Sequence, residues 1–299
     1  MNKDATPKVV AGKGSMHKVG RFDPANLSPH PIYDGHAEGL AWAPFIEHTD
    51  ETVHAAYGVM ELASGGETET VSHAFEKALF VIEGEFEINR GDQVHRVTDG
   101  DYFLLPTGIE HALRNRAAGP ARWVEMSAPQ PKAPGGWRDT WFAGPADWSP
   151  PAVASDSRDL RNQMMGHYAP AQHAPAAMMT PEELYGFSQR MMVDANFGAS
   201  HFNLFVIGFP DGGLCNHHDH PFEEGYFILE GAVDITFDGK DYTLGTGDYA
   251  WTGVGAQHAF FPKKGQPVRW LEFQAPQPPA RGGMRWMSQA DYMKTVLKF

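Results

Sequence analysis

The sequence predicts an all-β chain built as two tandem jelly-roll (double-stranded β-helix) barrels. Three observations carry that prediction. One is an internal repeat at a constant offset, another is a series of short strand-like runs divided by turn signals, and the third is a content of 32 Gly and 23 Pro in 299 residues, which favours tight turns. With 42% hydrophobic and 20% charged residues the chain is globular, and it is long enough to bury a core without disulfide or structural-metal staples. The single cysteine, Cys215, excludes an intrachain disulfide framework and a Cys-based zinc site. A formal net charge of −13 repels a phosphate backbone, and neither a basic patch nor a helix-turn-helix is visible, so no nucleic-acid partner is expected. No run approaches the roughly 18 apolar residues that span a bilayer, and the opening MNKDATPKVV has no apolar signal core. A cytoplasmic protein with no membrane partner is the expectation.

The repeat is read from paired segments. Ala128-Pro129-Gln130-Pro131 recurs as Ala275-Pro276-Gln277-Pro278, a shift of 275 − 128 = 147. The same shift relates Arg122-Trp123 to Arg269-Trp270, Glu125 to Glu272, Gly100-Asp101-Tyr102 to Gly247-Asp248-Tyr249, His73 to His220 and His111 to His258. From about 54 to 138 the first copy aligns with 201–285 without a net insertion. In the second copy, 203–209 (NLFVIGF), 224–229 (EGYFIL), 233–237, 242–244, 249–252 and 268–273 read as strands. Asp238-Gly239 is a favoured two-residue hairpin turn. The domain reading is an N-terminal arm over 1–40, a first barrel over 41–144, a linker rich in Pro and Ala over 145–185, and a second barrel over 186–299. A short helix is expected at Thr180-Pro181-Glu182-Glu183, with Thr180 as N-cap, and another at 291–299 (DYMKTVLKF), docked on the barrel. Arg138 and Arg285 recur by the repeat and suggest a shared structural salt bridge.

The chemistry concentrates in the second copy as His218-x-His220-x3-Glu224, with His258 downstream. Residues two apart on a strand share a face, so His218 and His220 can reach one point inside the barrel, and Glu224 has their parity. Three imidazoles and a carboxylate suit a divalent first-row metal. Four protein ligands leave one or two open positions on a five- or six-coordinate ion, which is what a catalytic metal requires. By parity and position the interior lining should include Asn216, Phe222, Tyr226, Phe260, Trp270, Glu272 and Gln274, with Tyr226 and Gln274 as candidates for orienting substrate. The plainer reading of Tyr226 is a packed core residue. Glu223 and His217 have the opposite parity and are expected to face outward, and Cys215 reads as a small buried residue.

These segments resemble the two cupin motifs in their three-His, one-Glu form, and the chain as a whole resembles a bicupin. The second motif normally has Pro where Gly253 stands. Domain order and the phrase 224–231 (EGYFILEG) are similar to the (S)-ureidoglycine aminohydrolase group, which uses manganese in its C-terminal barrel. That family's ligand set is Glu-x-His-x3-His with a distant Gln, so of His218, His220, Glu224 and His258 one agrees. Gln274 falls where that family has a catalytic Lys and Trp270 where it has a substrate-facing Tyr. The ligand set itself resembles that of quercetinases, small cupin dioxygenases, oxalate-handling cupins and sugar isomerases. It implies a divalent ion, Fe(II) or Mn(II) favoured over Zn, Ni or Co.

The first copy keeps the frame and loses the ligands, with Val71, His73, Lys77 and His111 at the four positions. An ammonium beside a divalent cation is electrostatically unfavourable and supplies no ligand. The first barrel should therefore hold no tight metal; it is structural, or Lys77 with Arg114 holds an anion. The function expected is a metal-dependent enzyme with Glu224, Tyr226 and Gln274 as catalytic candidates at the His218, His220, Glu224 and His258 centre. It would act on a small polar organic substrate, as a non-haem dioxygenase in preference to an aminohydrolase or isomerase of ureidoglycine type, or to a non-enzymatic ligand-binding protein. Exposed sheet edges and the arm would also allow a homodimer.

Overall fold

A computed structural model describes residues 16–91, 93–133, 135, 138–154, 164–170, 183–278 and 285–286. The helix expected at 180–183 lies almost wholly outside them, as does the one at 291–299. Among the described residues the regular structure is nearly all strand, and its only helical pieces are two 3-10 turns, Pro24–Asn26 and Pro31–Tyr33. No helix among them is long and apolar enough to cross a membrane.

The second barrel is two sheets face to face. One has the order His17–Arg21, Asp248–Thr252, Glu223–Glu230, Val268–Ala275, Asn203–Phe209, Ser188–Val193; the other contains Leu184–Tyr185, Leu214–Asp219, His258–Phe261, Ala232–Phe237 and Lys240–Gly245. The hairpin at Asp238-Gly239 closes Phe237 onto Lys240, and both turn residues have positive φ, 48° and 76°, as the right-handed strand twist demands of a two-residue turn. Inward positions of both sheets form one apolar core that includes Phe205, Phe209, Phe237, Phe260 and Trp270. The first barrel repeats the plan around the long strand Ala56–Thr68, which pairs with Ala121–Ala128 along its first half and with Ala112–Arg114 at its end. Its core includes Leu62, Phe86, Phe103 and Trp123. The repeat is exact at the site: Val71 pairs with His111 as His218 pairs with His258.

The described part of the N-terminal arm, 16–40, is shared between the barrels. His17–Arg21 adds an edge strand to the second barrel, against Asp248–Thr252, whereas Tyr33 is buried in the first. In the stretch between the copies, Met165–His167 pairs back onto Asp101–Leu105 of the first barrel. The segment ahead of each copy thus supplies an edge strand to the other copy, or returns one to its predecessor, in matching register: Gly20 opposes Tyr249, and Gly166 opposes Tyr102. Both positions require glycine. A Cβ on Gly20 would stand 2.4 Å from the Tyr249 ring, and one on Gly166 would stand 2.3 Å from the Tyr102 hydroxyl.

Glu223 faces out of its own barrel, as its parity requires, yet it is 1% exposed because it enters the other barrel. Its carboxylate accepts from the backbone N–H of Val53 (2.6 Å), His54 (3.2 Å) and Ala55 (3.3 Å) and from the Thr52 hydroxyl. Its repeat partner Glu76 does the same for Ser200 and His201. A third apolar core, with Phe45, Tyr57, Phe202, Phe227 and Phe273, lies between the barrels. The expected salt bridge of the recurring arginines is corrected for Arg138, which is exposed and makes no ion pair among the described residues; the Arg285 side chain lies outside the description.

Candidate metal centre

The four predicted side chains converge from both sheets. His218 lies on Leu214–Asp219 and opposes His258, at the head of the neighbouring strand. His220 follows the same strand, its ring stacked on Phe222 with centroids 4.5 Å apart. Glu224 comes from the facing sheet, where it pairs with Thr252 on one side and Gln274 on the other. The ligand atoms of His218, His220 and His258 all lie within 4.8 Å of one another. Glu224 closes the set, with Oε1 3.2 Å from His220 Nε2 and Oε2 3.0 Å from His258 Nε2. Each of the four is at most 3% exposed.

The backbone fixes how the imidazoles point. His218 Nδ1 is 2.6 Å from the Asn216 carbonyl and His258 Nδ1 is 3.0 Å from the Ala256 carbonyl. In the neutral ring such an Nδ1–H donates to the carbonyl and leaves the Nε2 lone pair for a metal. Burial, then the neighbouring His258 and His220, hold the His218 pKa well below its ordinary value, so this ring is neutral. Burial alone would raise the Glu224 pKa, but His220, His258 and the Tyr226 hydroxyl outweigh it and keep the group an anion. His258 Nε2 is buried with no hydrogen-bond partner among the described residues, although a carboxylate oxygen stands beside it. A cation between that lone pair and that oxygen would satisfy both. Three nitrogens and one oxygen therefore fit a divalent first-row ion.

Around this set lies a second layer. The Tyr226 hydroxyl donates to Glu224 Oε2, and Gln274 Nε2 donates to Glu224 Oε1 at 2.8 Å and to Glu272 Oε1 at 3.3 Å. Trp270 Nε1 donates to the other Glu272 oxygen at 2.9 Å. Burial, then the charge of Glu224, pushes the Glu272 pKa well above the carboxylate range. A cavity opens over the four ligand residues. Its apolar wall includes Phe205, Ile207, Phe209, Phe260 and Trp270, and its polar groups include Gln189, Glu272 and Gln274.

Four of the seven expected lining residues occupy this wall: Phe260, Trp270, Glu272 and Gln274. The other three do not. Tyr226 stands behind Glu224, Phe222 backs His220, and Asn216 acts through its carbonyl on His218. The role of orienting substrate is accordingly corrected for Tyr226, whose hydroxyl is spent on the carboxylate. Cys215 is buried and lies on the cavity wall. Phe205, Ile207 and Phe209 could have been found from their shared parity in one apolar run. Leu184, Phe187 and Gln189 could not, since they precede the repeated segment.

In the first barrel, His73 is tied to the Tyr33 hydroxyl (3.3 Å) and to Thr140 Oγ1 (3.0 Å). Lys77 Nζ, at the position of Glu224, is 2.8 Å from Glu125 Oε1. The expected pairing of Lys77 with Arg114 around an anion is not formed, because Arg114 bonds Glu87 at 2.5 Å and lies over the Trp148 ring.

The cupin domain family matches twice, over residues 58–127 and 205–273, one match in each barrel. The chain is a bicupin. Part of the bicupin is 30% identical to quercetin 2,3-dioxygenase of Bacillus subtilis (strain 168) over 99 residues, which is 31% of this chain and 29% of that protein. The match thus spans under a third of the curated relative. Among solved structures, a protein described as glyoxylate-induced from Pseudomonas aeruginosa is 18% identical with a TM-score of 0.61, covering 87% of this chain and 88% of that one. Oxalate decarboxylase of Lactobacillus farciminis is 12% identical with a TM-score of 0.62, covering 94% and 93%. Salicylate 1,2-dioxygenase of Pseudaminobacter salicylatoxidans is 14% identical with a TM-score of 0.60, covering 75% and 71%. At these identities the structural likenesses establish the fold.

Proposed function

We propose that this bicupin is a metal-dependent enzyme whose reaction takes place in the second barrel, and that it is a dioxygenase acting on a small organic molecule with a flat, largely apolar body and one or two oxygen donors. The observation that carries this reading is the inward convergence of His218, His220, His258 and Glu224 at the floor of an aromatic-walled cavity. These four residues would hold the ion, Fe(II) or Mn(II) by preference. When bound, such an ion supplies open positions at which substrate oxygens and dioxygen can be activated.

The chain's own residues do the rest. Phe209, Phe260 and Trp270 exclude water and take the flat body of the substrate. Gln274 and Glu272 present polar atoms on the same wall, so they would set its orientation. Glu272, held above the carboxylate range by burial and by Glu224, can keep a proton that it shares with a substrate oxygen. Tyr226 is a positioning residue that fixes the Glu224 carboxylate. The partial likeness to a quercetin dioxygenase favours oxygenation over hydrolysis.

Metal analysis of the purified protein should give about one divalent ion per chain, and His218→Ala should lose it. An oxygen electrode should then report uptake with a substrate from a panel of quercetin, gentisate and salicylate. Product formation at full rate without oxygen would exclude the oxygenase and leave the hydrolase as the alternative.

A further inference from the structure

We propose that the first barrel holds a second, metal-free ligand site, and that it takes a small monocarboxylate with a flat apolar body. A cavity opens at the mouth of this barrel, narrower than the one over the metal centre. Its floor is Lys77, Glu125, Ser127 and Phe75, and Trp42 and His30 form its side. Under the repeat Lys77, Glu125 and Ser127 match Glu224, Glu272 and Gln274, so the floor of this cavity stands where part of the second barrel's cavity wall stands.

The unused hydrogen-bonding capacity here is mostly donor. Each Glu125 oxygen already has a donor: one accepts from Lys77 Nζ at 2.8 Å and the other from Trp123 Nε1 at 3.1 Å. The ammonium spends one further hydrogen on the Tyr33 hydroxyl at 3.2 Å, which leaves its third without an acceptor among the described residues. His30 Nδ1 accepts from the Ile32 backbone N–H at 3.2 Å, so the ring proton is on Nε2. Burial and the charge of Lys77 lower the pKa of this ring to about 3, which keeps it neutral and in that tautomer near pH 7. Neither His30 Nε2 nor the Ser127 hydroxyl makes a hydrogen bond among the described residues, and Ser127 is only 6% exposed.

An ammonium hydrogen, an imidazole N–H and a hydroxyl around one apolar space call for a ligand that accepts. A carboxylate has the lone pairs for all three. Lys77 and Glu125 offset one another on the floor, and Lys132 and Glu47 do so at the mouth, so the free donors and not a net charge select the carboxylate. The Trp42 and Phe75 faces suit a flat body. This inference does not depend on the reaction proposed for the second barrel.

Benzoate is the probe, with benzyl alcohol as its uncharged counterpart. Calorimetric titration of the metal-stripped full chain should give one benzoate site and at least about tenfold weaker binding of benzyl alcohol, as expected for hydrogen bonds to a charged group. Ser127→Val should weaken benzoate by about tenfold. The double variant Lys77→Met with Glu125→Gln should abolish binding; it removes both charges together, so neither is left buried alone. His218→Ala should bind benzoate unchanged. No binding at 10 mM benzoate on the order of ordinary weak-ligand limits, equal affinity for the alcohol, or loss of binding in His218→Ala would each overturn the proposal. So would unchanged affinity in a folded Ser127→Val protein.

Discussion

At the scale of single residues, the two barrels differ by a charge swap on a common frame. Glu224 and Lys77 stand at equivalent positions, each bonded to a phenol: Tyr226 donates to Glu224, and Tyr33 accepts from Lys77. Tyr226 fills its place without reaching the cavity, so Tyr226→Phe should fold normally. It should weaken metal affinity by about tenfold, the low end for loss of an outer-shell bond, as read by competition with a chelating dye. The first barrel's histidines predict an acid response. Burial is the first cause, and Lys77 the second, that lowers both His30 and His111 to about 3. Their unfolded value is near 6.5, so below that pH the unfolded chain binds protons that the folded chain refuses. This contribution to stability is complete above pH 6.5 and declines as the pH falls towards 3, with a slope of about 1.4 kcal/mol per pH unit for each ring. Urea titrations of metal-stripped protein between pH 4 and 6 should show it, and His111→Gln should flatten the dependence by about one proton. An unchanged slope would contradict the assignment. That His218, His220 and Glu224 share a face was legible from parity and spacing, while His258 came from the motif further along the chain; the tasks of Tyr226 and Asn216 were not legible, since parity reports the face of a strand and not what stands between a side chain and the cavity.

At the scale of elements, the strands and the Asp238-Gly239 hairpin follow from local alternation and turn chemistry, and the 147-residue shift shows that they are used twice. The exchange of outer strands was hidden for a physical reason. His17–Arg21 is short, and its partner Asp248–Thr252 is more than two hundred residues away. A five-residue strand carries little signal of its own, and nothing in its alternation names its partner. Gly20 is the clue, because it admits the Tyr249 ring beneath it. Gly20→Val should lift this strand from the sheet, which hydrogen exchange would read as lost protection at residues 17–21. The buried carboxylates Glu223 and Glu76 escaped for the same reason, since a strand face that points away from its own barrel resembles a solvated one. Each binds backbone N–H groups of the opposite copy. Truncation to Ala strands those donors in the interface and should cost about 1–3 kcal/mol or more in each case, measured by urea unfolding. Glu223→Ala should lose more than Glu76→Ala, since it strands three backbone donors and a hydroxyl against two backbone donors.

At the scale of the whole molecule, the barrels are bound by three kinds of contact. The core between them contains Phe45 and Tyr57 from one copy and Phe202, Phe227 and Phe273 from the other, the two glutamates cross the same boundary, and the first segment belongs to the sheet of the second barrel. A fragment ending near residue 144 would expose that apolar face, and a fragment beginning near 145 would in addition lack its edge strand. Exposed apolar faces and unpaired edges favour association over independent folding. The intact protein should therefore unfold in one calorimetric transition, and the fragments 1–144 and 145–299 should aggregate when made separately but form a soluble pair when made together. The strand His17–Arg21 would then tie the first fragment to the second, while Glu224 pairs with Thr252 in the very strand that this segment covers. Deleting residues 1–22 should accordingly lower metal retention in the second barrel more than it disturbs the first. Two well-separated thermal transitions, or a soluble metal-binding 145–299 fragment, would show that the barrels are independent units that merely touch.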